Sequence, residues 1–203
     1  MNWSDITTLS KAGVNWSNLN TLSTANINWT DIQALSKAGV NWTDLGKFSS
    51  LFEEHVRALL PELIDQLRVT PFIAGEIELE LVAHNDGAHF ALHGDLYTGQ
   101  GSARGDRLLS AVYYFHRAPK AFSGGCLRLH RIGARPGDTG VDIAPDQNSL
   151  VVFPSWAPHE VLTVHCPSGA FGDSRFAVNC WVYRERAERP KVPAMRSIVG
   201  KAA

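Results

Sequence analysis

From about residue 72 onward the chain is a succession of short strand-like runs broken by turn residues, with no helical run between them. Ile77 to Val82 alternates apolar and polar, and His89 to His93 follows an Asn-Asp-Gly turn at 85–87. Leu108 to Phe115 (LLSAVYYF) reads as a buried strand. Further strands are expected at 126–130 after Gly124-Gly125, at 149–153 after the Pro145–Asn148 turn, at 161–165, and at 175–183. Such a pattern predicts a β-sandwich or jelly roll and argues against a doubly wound α/β fold.

The first 50 residues are of another kind. Trp3, Trp16, Trp29 and Trp42 recur every 13 residues within the pattern [VI]-N-W-[ST]-[DN]-[IL]-x-x-[LF]-S-x-A-[GN]. At about 100° per residue a shift of that length carries each copy to a new face, so one continuous helix fits poorly. Asn15, Asn28 and Asn41 stand at N-cap positions, and Gly13, Asn26 and Gly39 can adopt the left-handed conformation that ends a helix. The expectation is an array of short helices, each about 9–10 residues, that stack because none buries its face alone. The tryptophans read as packing between neighbours or as an aromatic recognition surface. Such an array would bind a partner or self-associate. The segment 51–71 follows as one longer amphipathic helix expected to buttress the sheets, with Pro61 ending a turn or kinking it. The strand-rich part is placed at 72–188 and a tail at 189–203.

Size and charge bound the function. The chain has 203 residues, 44% apolar, with a formal net charge of -1, so no bulk attraction to nucleic acid or to an anionic membrane is expected. No apolar run of about 18 residues exists and the start has no secretory pattern. Cys126, Cys166 and Cys180 lie far apart, which fits a reducing compartment. The expected location is cytoplasmic.

One constellation carries chemistry. His93 and Asp95, two apart on a strand, point to one side. With His159, which follows the bend Pro154–Pro158, they form a facial two-histidine, one-carboxylate set that suits non-haem Fe(II). Arg175, opening the last strand, could hold an acidic co-substrate. It shares a strand face with Ala177, Asn179 and Trp181, and Tyr114 could add a hydrogen bond, although a plain core tyrosine explains Tyr114 too. His55, His84, His89, His116, His130 and His165 show no spaced partner.

These stretches—LHGD at 92–95, LLSAVYYF at 108–115, SGGCLRLH at 123–130, NSLVVFPSWAPHEV at 148–161 and RFAVNCWVY at 175–183—resemble the 2-oxoglutarate/Fe(II) oxygenases, within them the prolyl 4-hydroxylase-like group. The resemblance implies an α+β architecture: a double-stranded β-helix (jelly roll) core with a buttressing helix, here preceded by the repeat array. It implies His93, Asp95 and His159 as iron ligands, Arg175 and Tyr114 as partners of the distal carboxylate of 2-oxoglutarate, and Asn179 and Trp181 as pocket residues. Fe(II), 2-oxoglutarate and O2 are the implied cofactor and co-substrates. Arg107 matches a position on the substrate side, and Phe90, Val112, Leu127 and Trp181 are expected walls. An insertion at 166–173 lengthens the approach to Arg175, which leaves Arg184 as the alternative cation. The Gly-rich loop 97–106 is expected to act as a lid. The implied reaction hydroxylates an unactivated C–H, of a prolyl or other residue in a protein or peptide, or else of a free amino acid or small metabolite. Three other readings compete: a jelly-roll dioxygenase that uses no keto acid, a non-enzymatic repeat-based binding protein on a jelly-roll scaffold, and zinc-dependent hydrolysis with Glu160 as base.

Overall fold

The computed structural model describes residues 48–96, 105–135 and 137–185. The repeat array, the 97–104 part of the expected lid and the 189–203 tail lie outside the described residues. The first described element is α1, Phe48–Gln66, which begins three residues before the expected segment. It runs unbroken through Pro61, so the proline does not end it. Pro61 lies on the exposed side, where a carbonyl freed by the missing N–H can be hydrated. No described helix is long and apolar enough to cross a membrane.

Among the described residues ten strands follow: β1 (Ala74–His84), β2 (Phe90–His93), β3 (Asp106–Phe115), β4 (Ser123–Gly124), β5 (Leu127–Leu129), β6 (Val141–Ile143), β7 (Ser149–Pro154), β8 (His159–Val161), β9 (Val164–His165) and β10 (Arg175–Arg184). They form a major sheet in the order β1-β10-β3-β7, a minor sheet β2-β8-β5-β6 and a small β4-β9 pair. Every pairing is antiparallel. Two facing four-stranded sheets give the jelly-roll layout that the turn-rich pattern predicts.

The strands expected at 77–82, 108–115, 149–153 and 175–183 appear with ends shifted by a few residues. The single strand expected at 161–165 is a correction: it divides into β8 and β9, because the chain leaves β5 and pairs next with β4. The changeover is held by Leu162 N–H on the Cys126 carbonyl at 2.9 Å and Gly125 N–H on the Thr163 carbonyl at 3.1 Å. Between β9 and β10 the expected insertion forms a loop with a short 3-10 turn, Phe171–Asp173.

The major sheet is buried on both faces, which is why β3 and β10 read as nearly unbroken apolar runs. One face carries Leu109, Tyr113 and Phe115 of β3 and Phe176, Val178 and Val182 of β10. Onto it α1 sets Phe52, Val56, Leu60 and Leu63, the helical spacing that the sequence shows. Phe52 is fully buried, with its ring 5.9 Å from that of Tyr113 in an edge-on contact. The opposite face turns inward to the minor sheet. There Val112, Tyr114, Val151, Phe153 and Ala177 meet Leu127, Leu129 and Ile143. The functional groups sit between the sheets on this inner side.

Candidate metal centre and carboxylate pocket

His93 and His159 are directly opposed across β2 and β8, and their rings lie 4.2 Å apart. Asp95 is not on a strand, contrary to expectation, since β2 ends at His93. Its place is fixed instead by its own N–H, which donates to the Ser155 carbonyl at 2.9 Å. One donor atom from each of His93, Asp95 and His159 lies within 4.8 Å of the others, and this is the only such grouping among the described residues. Each imidazole nitrogen Nε2 stands 3.6 Å from an Asp95 carboxylate oxygen.

The tautomers follow from the backbone. His93 Nδ1 lies 2.8 Å from the Ala91 carbonyl, and His159 Nδ1 lies 2.9 Å from the Ala157 carbonyl. A carbonyl only accepts, so each Nδ1 carries hydrogen; Nε2, on the side of Asp95, holds a lone pair for a metal in the neutral ring and a hydrogen directed at the carboxylate only when the ring is protonated. Both histidines use the carbonyl two residues back, a repeated local device. Ser110 donates to Asp95 Oδ2 at 2.7 Å, and with that hydrogen committed Ser155 donates to Ser110 at 2.9 Å. Burial disfavours ionised Asp95, but hydrogen bonds from His93, Ser110 and Trp181 and the nearby His159 outweigh it and hold its pKa at about 2. Burial also opposes protonation of His93, yet the hydrogen bond and charge of Asp95 prevail and its pKa is raised. In the more deeply set His159 burial wins and the pKa is lowered. Two imidazole lone pairs and a carboxylate on one side of a space open on the other match a facial site for divalent iron.

A cavity of about 380 Å³ extends from this triad between the sheets to Arg175. That size suits a small organic ligand. Phe90, Val112, Leu127, Tyr114, Asn179, Trp181 and Arg107 all line it. Arg175 is 1% exposed, and among the described residues no carboxylate pairs with it. Its Nε donates to the Gly125 carbonyl at 2.8 Å, and its guanidinium carbon lies 4.8 Å from the Tyr114 ring centre. Gly125 has φ +67°, and a Cβ there would come within 2.7 Å of Arg175 Cδ, so glycine is required beside the arginine. The Tyr114 hydroxyl is buried without a hydrogen-bond partner. Burial pushes its pKa up, and the same burial lowers that of Arg175. A buried unpaired cation beside an orphan hydroxyl is costly alone and becomes tolerable with a carboxylate between them. The residues therefore fit a 2-oxoglutarate whose far carboxylate reaches this end.

Three expectations are corrected. Arg184 is no substitute for Arg175: it pairs with Asp106 at the surface, with a side chain 53% exposed, and does not line the cavity. Glu160 is not a base for the triad. It neighbours His159 on β8, where successive side chains face opposite ways, and its carboxylate takes His130 Nε2 at 2.9 Å. His84, which shows no partner in the sequence, lines the cavity and accepts from Arg175 at 3.0 Å. Ser110 and Ser155 were likewise unrecognised as supports of the carboxylate. Hydroxyls this small carry no spacing signal. Arg107 stands on the cavity wall, engaged by Glu78 at 2.7 Å and by the Tyr183 hydroxyl at 2.8 Å, above the Trp181 ring.

Comparison with known proteins places this geometry. Residues 79–183 match the model of the 2OG-Fe(II) oxygenase superfamily, and the chain belongs to that family. The family implies Fe(II), 2-oxoglutarate and O2. An uncharacterized PKHD-type hydroxylase of Synechocystis sp. is 42% identical over 142 residues, 68% of this chain, and the match spans 46% of that relative's length. The viral collagen prolyl hydroxylase of Paramecium Bursaria Chlorella virus-1 shares the fold, with a TM-score of 0.50 at 11% identity over 77% of this chain and 88% of its own. A Pseudomonas putida prolyl-4-hydroxylase superposes with a TM-score of 0.49 at 24% identity over 72% of this chain and 71% of its own.

Proposed function

We propose that this chain is a 2-oxoglutarate- and Fe(II)-dependent dioxygenase that hydroxylates an unactivated C–H bond, first of all of a prolyl or other residue in a protein or peptide. The observation that carries the reading is one cavity with the His93–Asp95–His159 cluster at one end and the unpaired, buried Arg175 at the other.

In this reading Nε2 of His93, Nε2 of His159 and the Asp95 carboxylate hold the iron. Bound iron supplies the oxidative chemistry: one O2 is divided between succinate, formed from 2-oxoglutarate with release of CO2, and the hydroxyl of the product. Arg175 grips the far carboxylate through paired N–H groups and Tyr114 adds its O–H. Asn179, four residues from Arg175 and two from Trp181 on the same strand face, lines the cavity between the two ends. Val112, Leu127 and Trp181 keep water from the reacting end.

The polypeptide reading rests on the rim and on the resemblance of the motifs to the prolyl-hydroxylase-like group. Phe90 and Leu96 line the cavity yet are 53% and 46% exposed, an apolar edge on which an extended chain can rest. Arg107 is also on the cavity wall, and the resemblance of the motifs implies a place for it on the substrate side. Succinate release against peptide and amino-acid pools, with mass spectrometry for the gain of one oxygen atom, tests this. Product on peptides supports the reading; product only on free amino acids or metabolites moves the substrate class; no succinate with any pool counts against the function.

A further inference from the structure

His84 and Arg175 are opposed across β1 and β10, and both line the cavity. Arg175 Nη1 lies 3.0 Å from His84 Nδ1. A guanidinium only donates, so Nδ1 is the accepting nitrogen and the ring proton must sit on Nε2. With Nε tied to Gly125 and Nη1 to His84, the guanidinium is held at two points in its own plane. Neither of these two bonds uses Nη2. Neither partner brings a negative charge, so the cation is oriented without being neutralised. A carboxylate from either strand would have filled the site with the protein's own anion.

We propose that His84 is a positioning residue for the co-substrate, holding Arg175 in the orientation that selects a keto acid with a distal carboxylate over one without. The inference rests on the function proposed above. The requirement is a neutral acceptor at Nδ1. Burial and the neighbouring guanidinium both favour the neutral ring, which agrees with the geometry. His84→Gln can keep an accepting oxygen near the place of Nδ1, whereas His84→Leu keeps bulk and loses the acceptor.

The test is anaerobic calorimetry on protein loaded with Mn(II), titrated with 2-oxoglutarate and separately with 2-oxobutyrate, which lacks the distal carboxylate. Losing a hydrogen bond that orients a charged group predicts a Kd for 2-oxoglutarate about 10- to 100-fold weaker in His84→Leu. The Kd values for 2-oxobutyrate and for Mn(II) stay unchanged, and His84→Gln restores most of the loss. An unchanged 2-oxoglutarate Kd in His84→Leu, or an equal loss for both keto acids, overturns the proposal. Wild-type protein that binds no 2-oxoglutarate would instead overturn the function on which it rests. A second measurement needs no variant: nitrogen-15 NMR of the wild-type histidines. The expected spectrum shows His84 as the Nε2–H tautomer, perturbed by 2-oxoglutarate and not by 2-oxobutyrate. An Nδ1–H tautomer overturns the proposal even if His84→Leu does not fold.

Discussion

The Ser110 hydroxyl donates to Asp95 Oδ2 at 2.7 Å from the strand beside Arg175's own, so the major sheet supports a carboxylate that the β2–β8 side of the molecule presents. The bond orients Asp95 before any metal arrives. Ser110→Ala removes it while leaving all three proposed ligands in place. Losing a hydrogen bond that orients a metal ligand costs about 10- to 100-fold in metal affinity. Anaerobic Co(II) titration should show that weakening with an unchanged far-ultraviolet spectrum, and equal affinity in both proteins would mean that the serine is a bystander.

Arg175 separates binding from stability. It is a buried cation with no acid partner among the described residues, so Arg175→Met should leave the melting temperature of the ligand-free protein unchanged or raised. Wild-type protein should gain thermal stability as 2-oxoglutarate is added, and the variant should gain none. Differential scanning fluorimetry across a concentration series reads both effects at once.

His84 predicts a pH dependence. Burial and the adjacent Arg175 charge lower its pKa from 6.5 to about 4. Between those values the unfolded chain binds the proton and the folded chain does not. Stability is therefore complete above the unfolded value and is lost as the pH falls through the window toward 4. The expected loss from this group between pH 7 and pH 5 is about 2 kcal/mol. Urea midpoints of wild type and His84→Gln should diverge between these two pH values, with the variant less sensitive to acid. Parallel lines would contradict the assignment.

Much of this fold was legible because burial marks the sequence, as a period where one face is covered and as an unbroken apolar run where both are. Leu108 to Phe115 and Arg175 to Tyr183 are apolar on both faces, and the structure covers one face with α1 and turns the other into the cavity. Short elements were not legible. β4 and β6 have two and three residues, too few for any period, and β8 and β9 merged into one expected strand. The triad was found because its members are chemically unusual together, though Asp95 reaches it from a loop rather than from a strand. His84 was missed for a different reason. Its partner is set by the register of two strands far apart in sequence, and no local pattern states that register.

The helix–sheet contact can be weighed on its own. Phe52 is fully buried against the major sheet on the side away from the cavity. Phe52→Ala should cost about 3–5 kcal/mol by lost burial and cavity formation. Chemical denaturation measures it. A cost below about 1 kcal/mol would mean that α1 adds little to the sheet it covers.

A metal held by His93, Asp95 and His159 and a dicarboxylate held by Arg175 would share one cavity. Anaerobic calorimetric titration of 2-oxoglutarate into Fe(II)-loaded protein probes both ends of it together. The expected result is a single saturable site per chain, abolished by Arg175→Met and strongly weakened by His93→Ala. Wild-type protein that takes up no 2-oxoglutarate, or binding indifferent to both substitutions, would contradict it.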